Sequence, residues 1–156
     1  MSSEPHGVAI RHVTIADLRV IIDELEDFWG EDRDMGFLHQ ALFVHEFGDT
    51  SVLAERHGRA LGYLLGFVAP AGVGYIHAVA IRREAQGEGL GRLLYERFSE
   101  LAAERGAGRL KAITAPENRG SRAFHEALGF SVDEVEGYSP SAGTRLVFRR
   151  DLLRSA

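Results

Sequence analysis

The residues Gln86-Gly87-Glu88-Gly89-Leu90-Gly91 follow an apolar run, Tyr75 to Ile81, and the short link Arg82 to Ala85, and they open an amphipathic run, Arg92 to Arg105. Glycine at alternate positions keeps side chains away from the backbone and permits positive φ where successive N–H groups must converge. At the positive end of a following helix such a turn is a cradle for an anion, and a pyrophosphate suits it best. Two familiar phosphate loops are excluded. A Walker loop needs Lys and then Ser or Thr after its last glycine, where this chain has Arg92 and Leu93. A dinucleotide fingerprint needs a small residue where Arg92 stands, and an acidic ribose partner about 20 residues on, where Leu110 and Lys111 stand.

A second constellation runs from Asn118 through Ser121, Arg122, Phe124 and His125 to Gly129-Phe130. Asn118 and Ser121 suit a helix start and Gly129 a helix end. Between Asp23 and Asp34 seven carboxylates (Asp23, Glu24, Glu26, Asp27, Glu31, Asp32, Asp34) stand against the single Arg33, with Phe28 and Trp29 among them. That segment is either a solvated helix face or the wall of a site for an amine, in which Trp29 and Glu31 would bind substrate. His39 and His45 are six apart, not the i, i+4 spacing of a helical metal pair, so no metal site is expected.

The elements that must position these groups follow from periodicity. Val8 to His12 alternates as a short strand. Thr14-Ile15-Ala16-Asp17 is a capping-box pattern, and Leu18, Ile21, Ile22, Leu25 and Phe28 continue at helical spacing until Gly30. A second helix is expected over about Phe37 to Phe47. Ser51–Arg56, Arg59–Ala69 and Val73–Ile81 are separated by His57-Gly58 and Pro70-Ala71-Gly72, which predicts an antiparallel meander. In the last of these strands, alternation puts Tyr75, His77, Val79 and Ile81 on one face and Ile76, Ala78 and Ala80 on the other. The helix after the glycine turn carries Leu90, Leu93, Leu94, Phe98, Leu101 and Ala102 and stops at Gly106. Leu110–Thr114 then lies parallel to Tyr75–Ile81. Val132–Tyr138 and Thr144–Arg149 form a last hairpin.

Composition bounds the remaining options. The chain has 156 residues, is 45% hydrophobic and 26% charged, and carries a net charge of −5 without any cysteine. One domain over residues 1–156 is expected. Thiol and redox chemistry are excluded, and the acidic balance argues against nucleic acid. No run approaches a membrane span, and Met1 to Gly7 has no basic-then-apolar signal pattern, so a cytoplasmic protein with no membrane partner is expected.

Gln86-x-x-Gly89-x-Gly91 after a strand, followed about thirty residues later by Asn118-x-x-Ser121-x-x-Phe124-His125 and Gly129-Phe130, resembles the GNAT superfamily of N-acetyltransferases over nearly the whole chain. The resemblance implies an α/β (α+β) fold: a mixed, mostly antiparallel central sheet with a splayed parallel pair in the middle, flanked by helices. It implies acetyl-CoA as cosubstrate, no metal, and direct acyl transfer to an amine. Gln86, Gly87, Glu88, Gly89, Leu90 and Gly91 would hold the pyrophosphate, with Arg82, Arg83, Arg92 and Arg122 available to the phosphates. Backbone of Val79, Ala80 and Ile81 would pair with the pantetheine, one N–H near Val79 polarising the thioester, and Asn118, Ser121 and Arg122 would close the other side.

Two departures from the family pattern concern catalysis. Tyr75 stands where several members carry a glutamate base, and His125 where many carry a tyrosine acid. A phenol with a pKa near 10 is a poor base. His77, on the same strand, or a water chain to Glu24, Glu26 or Asp27 are the alternatives, with His125 as acid to the departing thiolate or as a packing residue. The implied acceptor is a small-molecule amine. Protein N-termini or lysines, an inactive acyl-CoA-binding sensor, and a homodimer remain open.

Overall fold

The computed structural model describes residues 7–31, 33–141 and 143–152, so Asp32 and the first six residues lie outside it. Its strands are β1 (Ala9–His12), β2 (Val52–Arg56), β3 (Arg59–Ala69), β4 (Val73–Ile81), β5 (Arg109–Thr114), β6 (Ser131–Ser139) and β7 (Gly143–Asp151). They form one seven-stranded sheet in the order β1-β2-β3-β4-β5-β7-β6. All neighbours are antiparallel except β4 and β5, which are parallel, as the family resemblance requires. One face carries α1 (Ile15–Asp23), α2 (Leu25–Trp29) and α3 (Leu42–His45), and the other carries α4 (Leu90–Glu104) and α5 (Arg119–Ala127). No helix among the described residues is long and apolar enough to cross a membrane.

The capping box forms as the sequence predicts. Thr14 Oγ1 accepts from the Asp17 N–H at 3.2 Å, the Asp17 carboxylate accepts from the Thr14 N–H at 2.8 Å, and Arg11 grips the same carboxylate at 2.6 Å. The helix it opens does not run unbroken to Phe28. Glu24 leaves helical geometry at φ −117° and ψ 27°, dividing α1 from α2 and leaving Ile22 exposed. Through this break Glu24 and Asp27 both reach the buried Arg82 guanidinium, at 2.9 and 2.8 Å. A buried cation without counter-charge would cost more than a few lost helical bonds. The expected helix from Phe37 to Phe47 is also fragmented, into a 3₁₀ turn at Gly36–Leu38, α3, and another 3₁₀ turn at Gly48–Thr50.

The core has two parts, one on each face of the sheet. Leu64, Ile76, Leu110 and Phe148 of the sheet pack with Leu94, Tyr95 and Phe98 of α4, whereas Leu53, Tyr63 and Ala78 pack with Ile21, Phe28 and Phe43 of α1 to α3. Truncating a ring as fully enclosed as Phe98 typically costs about 3–5 kcal/mol.

One irregularity overturns the predicted face assignment of β4. Leu65 of β3 faces Ala78, but the next residue, Gly66, faces Ile76, so His77 is bulged out of the register. Tyr75 and His77 therefore stack on Phe67 and Phe43 of the α1–α3 side, while Val79 and Ile81 pack with the α4 side. A bulge supplies this reversal by placing two consecutive side chains, here His77 and Ala78, on the same face.

Candidate active site

The pairing of β4 with β5 covers only Val73–Ile76 against Arg109–Ala112. Beyond it β4 stays bonded to β3 as far as Ile81, and β5 to β7 as far as Thr114, so the two central strands part company at His77. The β5-facing edge of β4, including Val79, Ala80 and Ile81, has no strand partner there. An extended ligand can pair with such an edge as a strand would.

The glycine loop lies past the far end of that edge. Gly87 and Gly89 adopt φ of +85° and +83°, Gly89 as the residue before the first turn of α4. Among the described residues, the backbone N–H groups from Gly87 to Arg92 have no protein acceptor. Together with the N-terminus of the fifteen-residue α4 they leave a run of free donors at the positive end of a helix dipole, the geometry an anion cradle needs. Gly91 has a different duty: a Cβ there would stand 3.0 Å from the Phe124 ring, so the glycine lets α5 close against α4. The Gln86 side chain donates to the Ile81 carbonyl at 3.2 Å, and Glu88 pairs with Arg56 at 2.9 Å. Arg92 is exposed and has no partner among the described residues, and Arg122 pairs with Glu126 at 2.8 Å, so both stand in solvent. Arg82 is not available to a phosphate, because it is buried between Glu24, Asp27, the Ala60 carbonyl and the Phe28 ring.

Asn118 holds the β5 side of the gap. Its Oδ1 accepts from the Ser121 N–H at 3.0 Å and its Nδ2 donates to Thr114 Oγ1 at 3.3 Å, tying the strand tip to α5. His125, on the same helix, is buried and stacked on Phe148 at 4.0 Å. Its Nδ1 donates to the Ser121 carbonyl at 2.7 Å, which leaves Nε2 to accept from the Tyr95 O–H at 2.6 Å. Burial pushes its pKa below the usual 6.5 and pushes that of Tyr95 up. Both nitrogens are committed and the ring is held neutral, an arrangement that suits packing and not the general acid expected from the sequence.

His77 differs in having one nitrogen free. Its Nε2 donates to the Leu38 carbonyl at 2.9 Å and its ring stacks on Phe43 at 4.3 Å. Nδ1 has no partner among the described residues, so this tautomer leaves it with an unshared lone pair. Burial lowers the pKa of His77 below 6.5. The neighbouring Tyr75 stacks on Phe67 at 5.3 Å, and its pKa is raised by burial and then by Tyr138, which removes it further from service as a base.

The residue after Leu38, His39, is tied into a network through Tyr63, a residue the sequence reading did not single out. His39 Nδ1 donates to Met35 O at 2.8 Å, so Nε2 accepts from the Tyr63 O–H at 2.6 Å, and Tyr63 accepts from Trp29 Nε1 at 2.7 Å. Trp29 is thereby a strut, and its ring carries the Arg33 guanidinium at 5.7 Å instead of standing open to a substrate ammonium. The acidic segment lines a cavity of about 670 Å³ that includes Glu31 and Asp34 but neither Tyr75 nor His77. Glu24 and Asp27 are engaged by Arg82, which commits two of the three carboxylates considered for a water-chain base and two of the seven in the acidic segment.

His39, His77 and His125 are all held neutral, with desolvation the leading cause. Groups whose basicity is lower in the folded than in the unfolded chain leave stability complete above the ordinary value of 6.5 and withdraw it as pH falls below, by about 1.4 kcal/mol per pH unit for each histidine protonated only when unfolded. Thermal unfolding between pH 7.5 and 5 is expected to show this loss, and His39→Gln is expected to flatten the slope.

Comparison with known proteins agrees with this geometry. Residues 18–130 match the Acetyltransferase (GNAT) family. L-2,4-diaminobutyric acid acetyltransferase of Nocardia farcinica is 29% identical over 89 residues, 56% of this chain and 46% of that protein. Mycothiol acetyltransferase of Beutenbergia cavernae is 33% identical over 108 residues, 69% of this chain and 34% of that protein. The chain thus spans about half or less of the length of these curated relatives. The structure of diaminobutyrate acetyltransferase EctA from Paenibacillus lautus, in complex with L-2,4-diaminobutyric acid and coenzyme A, superposes with a TM-score of 0.71 at 17% identity, covering 96% of this chain and 98% of that one. With the family match spanning most of its residues and the sheet splayed at β4 and β5, the chain belongs to the GNAT acetyltransferase family.

Proposed function

We propose that this protein transfers the acetyl group of acetyl-CoA to a primary amine of a small molecule, with His77 Nδ1 receiving the proton of the amine. The observation that carries the proposal is the bulge at His77, the first residue of β4 beyond its pairing with β5, whose imidazole keeps one nitrogen without a partner among the described residues. Acetyl-CoA, when bound, supplies an acetyl group activated as a thioester. The N–H groups of Gly87 to Arg92 fit its pyrophosphate, with Arg92 and Arg122 near by in solvent, and the free edge of β4 at Val79 to Ile81 fits its pantetheine. Leu38 orients the imidazole, the Phe47–Phe67–Tyr75 stack excludes water beside it, and a neutral histidine is already in the form that takes a proton at pH 7. Asn118 and Ser121 keep the second lip of the gap in place. His125 serves by packing between Tyr95 and Phe148, and the thiolate, with a pKa near 8.5, departs without it.

Release of free thiol from acetyl-CoA over a panel of small amines, amino acids and peptides tests the proposal. Turnover with small amines supports it. Turnover confined to peptides transfers the activity to protein acceptors, and coenzyme binding without turnover makes the protein a sensor.

A further inference from the structure

Lys111 is the one lysine of the chain, every other member of its 18 lysines and arginines being arginine. It lies on β5 directly beside Tyr75 of β4, in the last part of the parallel pairing before the gap opens. Its neighbours Leu110 and Ala112 pack beneath α4, so Lys111 points to the other face, the one that carries Tyr75 and His77. It is partly buried, its ammonium stands 5.1 Å from the centre of the Tyr138 ring, and it meets no carboxylate among the described residues. Arg145, on the same face of β7 by the same alternation, has among the described residues only the Thr144 carbonyl, at 3.1 Å. A partly desolvated ammonium held by an aromatic ring alone is short of an anion.

We infer that the acceptor carries a carboxylate, and that Lys111 receives it while the amine reaches His77. The inference rests on the acetyl-transfer reading of this cleft and adds the class of substrate: a short amino acid whose reacting amine lies a few atoms from its acid group. Tyr75 and His77 are two residues apart on β4, about 7 Å. Lys111 and His77 thus stand close together on adjacent strands, so a short molecule would span them. The positive charge of the cleft floor excludes a simple diamine and admits a zwitterion.

A single lysine permits a direct test, because protein made with lysine carrying ¹³C at Cε gives one lysine signal. With coenzyme A present, L-2,4-diaminobutyrate is expected to shift that signal saturably, and 1,3-diaminopropane, the same molecule without the carboxylate, is expected to leave it in place. In acetyl transfer, Lys111→Met is expected to reduce the ratio of kcat/KM for diaminobutyrate over diaminopropane by about 10- to 100-fold, mainly through KM, with Lys111→Arg retaining most of the preference. Equal shifts with both amines, no shift with either, or an unchanged ratio in Lys111→Met overturns the inference. A carboxylate-dependent shift without turnover upholds Lys111 as the anion site and removes the acetyl-transfer reading instead.

Discussion

Replacing His77 by glutamine is expected to lower kcat at pH 7 by about 100- to 10,000-fold, the usual contribution of a positioned general base. Glutamine is the informative replacement because its amide N–H can still donate to the Leu38 carbonyl, which His77 Nε2 now reaches at 2.9 Å, while its oxygen is too weak a base to hold a proton. Burial lowers the pKa of His77, so the imidazole is neutral throughout the physiological range. The wild-type rate should then be level above pH 6.5 and fall only below it. The variant must wait for an amine that has already lost its proton, so its rate should climb towards pH 10 and the deficit should narrow. Steady-state kinetics from pH 5.5 to 10, with a melting curve to show that the ring cavity beside Phe43 is still filled, decides the matter. A variant within about threefold of wild type at pH 7 would place the base elsewhere.

Gly89→Val is expected to weaken coenzyme A binding by about 100-fold or more. The backbone at Gly89 has φ +83°, where a β-branched residue is strained, and the added side chain has no protein atom within 4 Å to pack upon. Relief of the strain turns the N–H groups on either side away from their common focus. The loss of two charge-assisted hydrogen bonds, about 1.5–3 kcal/mol each, would account for that factor. Gly106→Val is the matched control: it has φ +87° and equally open surroundings but lies past the other end of α4. Calorimetric titration should find Gly106→Val binding as wild type. Equal weakening in both variants would mean that strain transmitted through α4, and not the loop, governs affinity.

These two residues differ in how openly the sequence declares them. Gly89 needs only its local context, a strand before and an amphipathic helix after, and the capping box at Thr14 and the cap at Asn118 are legible for the same reason: their bonds close within three residues. The meander of β2 to β4 and the parallel partnership of β4 with β5 also followed from short-range signals, namely two turns and a strand–helix–strand order. Burial along β4 alternates without a break, so nothing in its own residues announces the bulge at His77; the mismatch exists only in the register with β3. The functional fate of charged and polar side chains was likewise beyond local reading. Arg82 meets carboxylates 58 and 55 positions away, Tyr63 meets His39 and Trp29 from 24 and 34 positions away, and Tyr95 meets His125 across 30. Taken by itself, the sequence determined which segments form strands, caps and the glycine turn, because φ/ψ preference and hydrophobic period act over a few residues. Only the tertiary structure decided which of the three desolvated histidines keeps a nitrogen without a partner among the described residues, which arginine is consumed in the core and whether the lysine meets an anion there, because a polar group's partners are chosen by burial and packing among residues far apart in the chain.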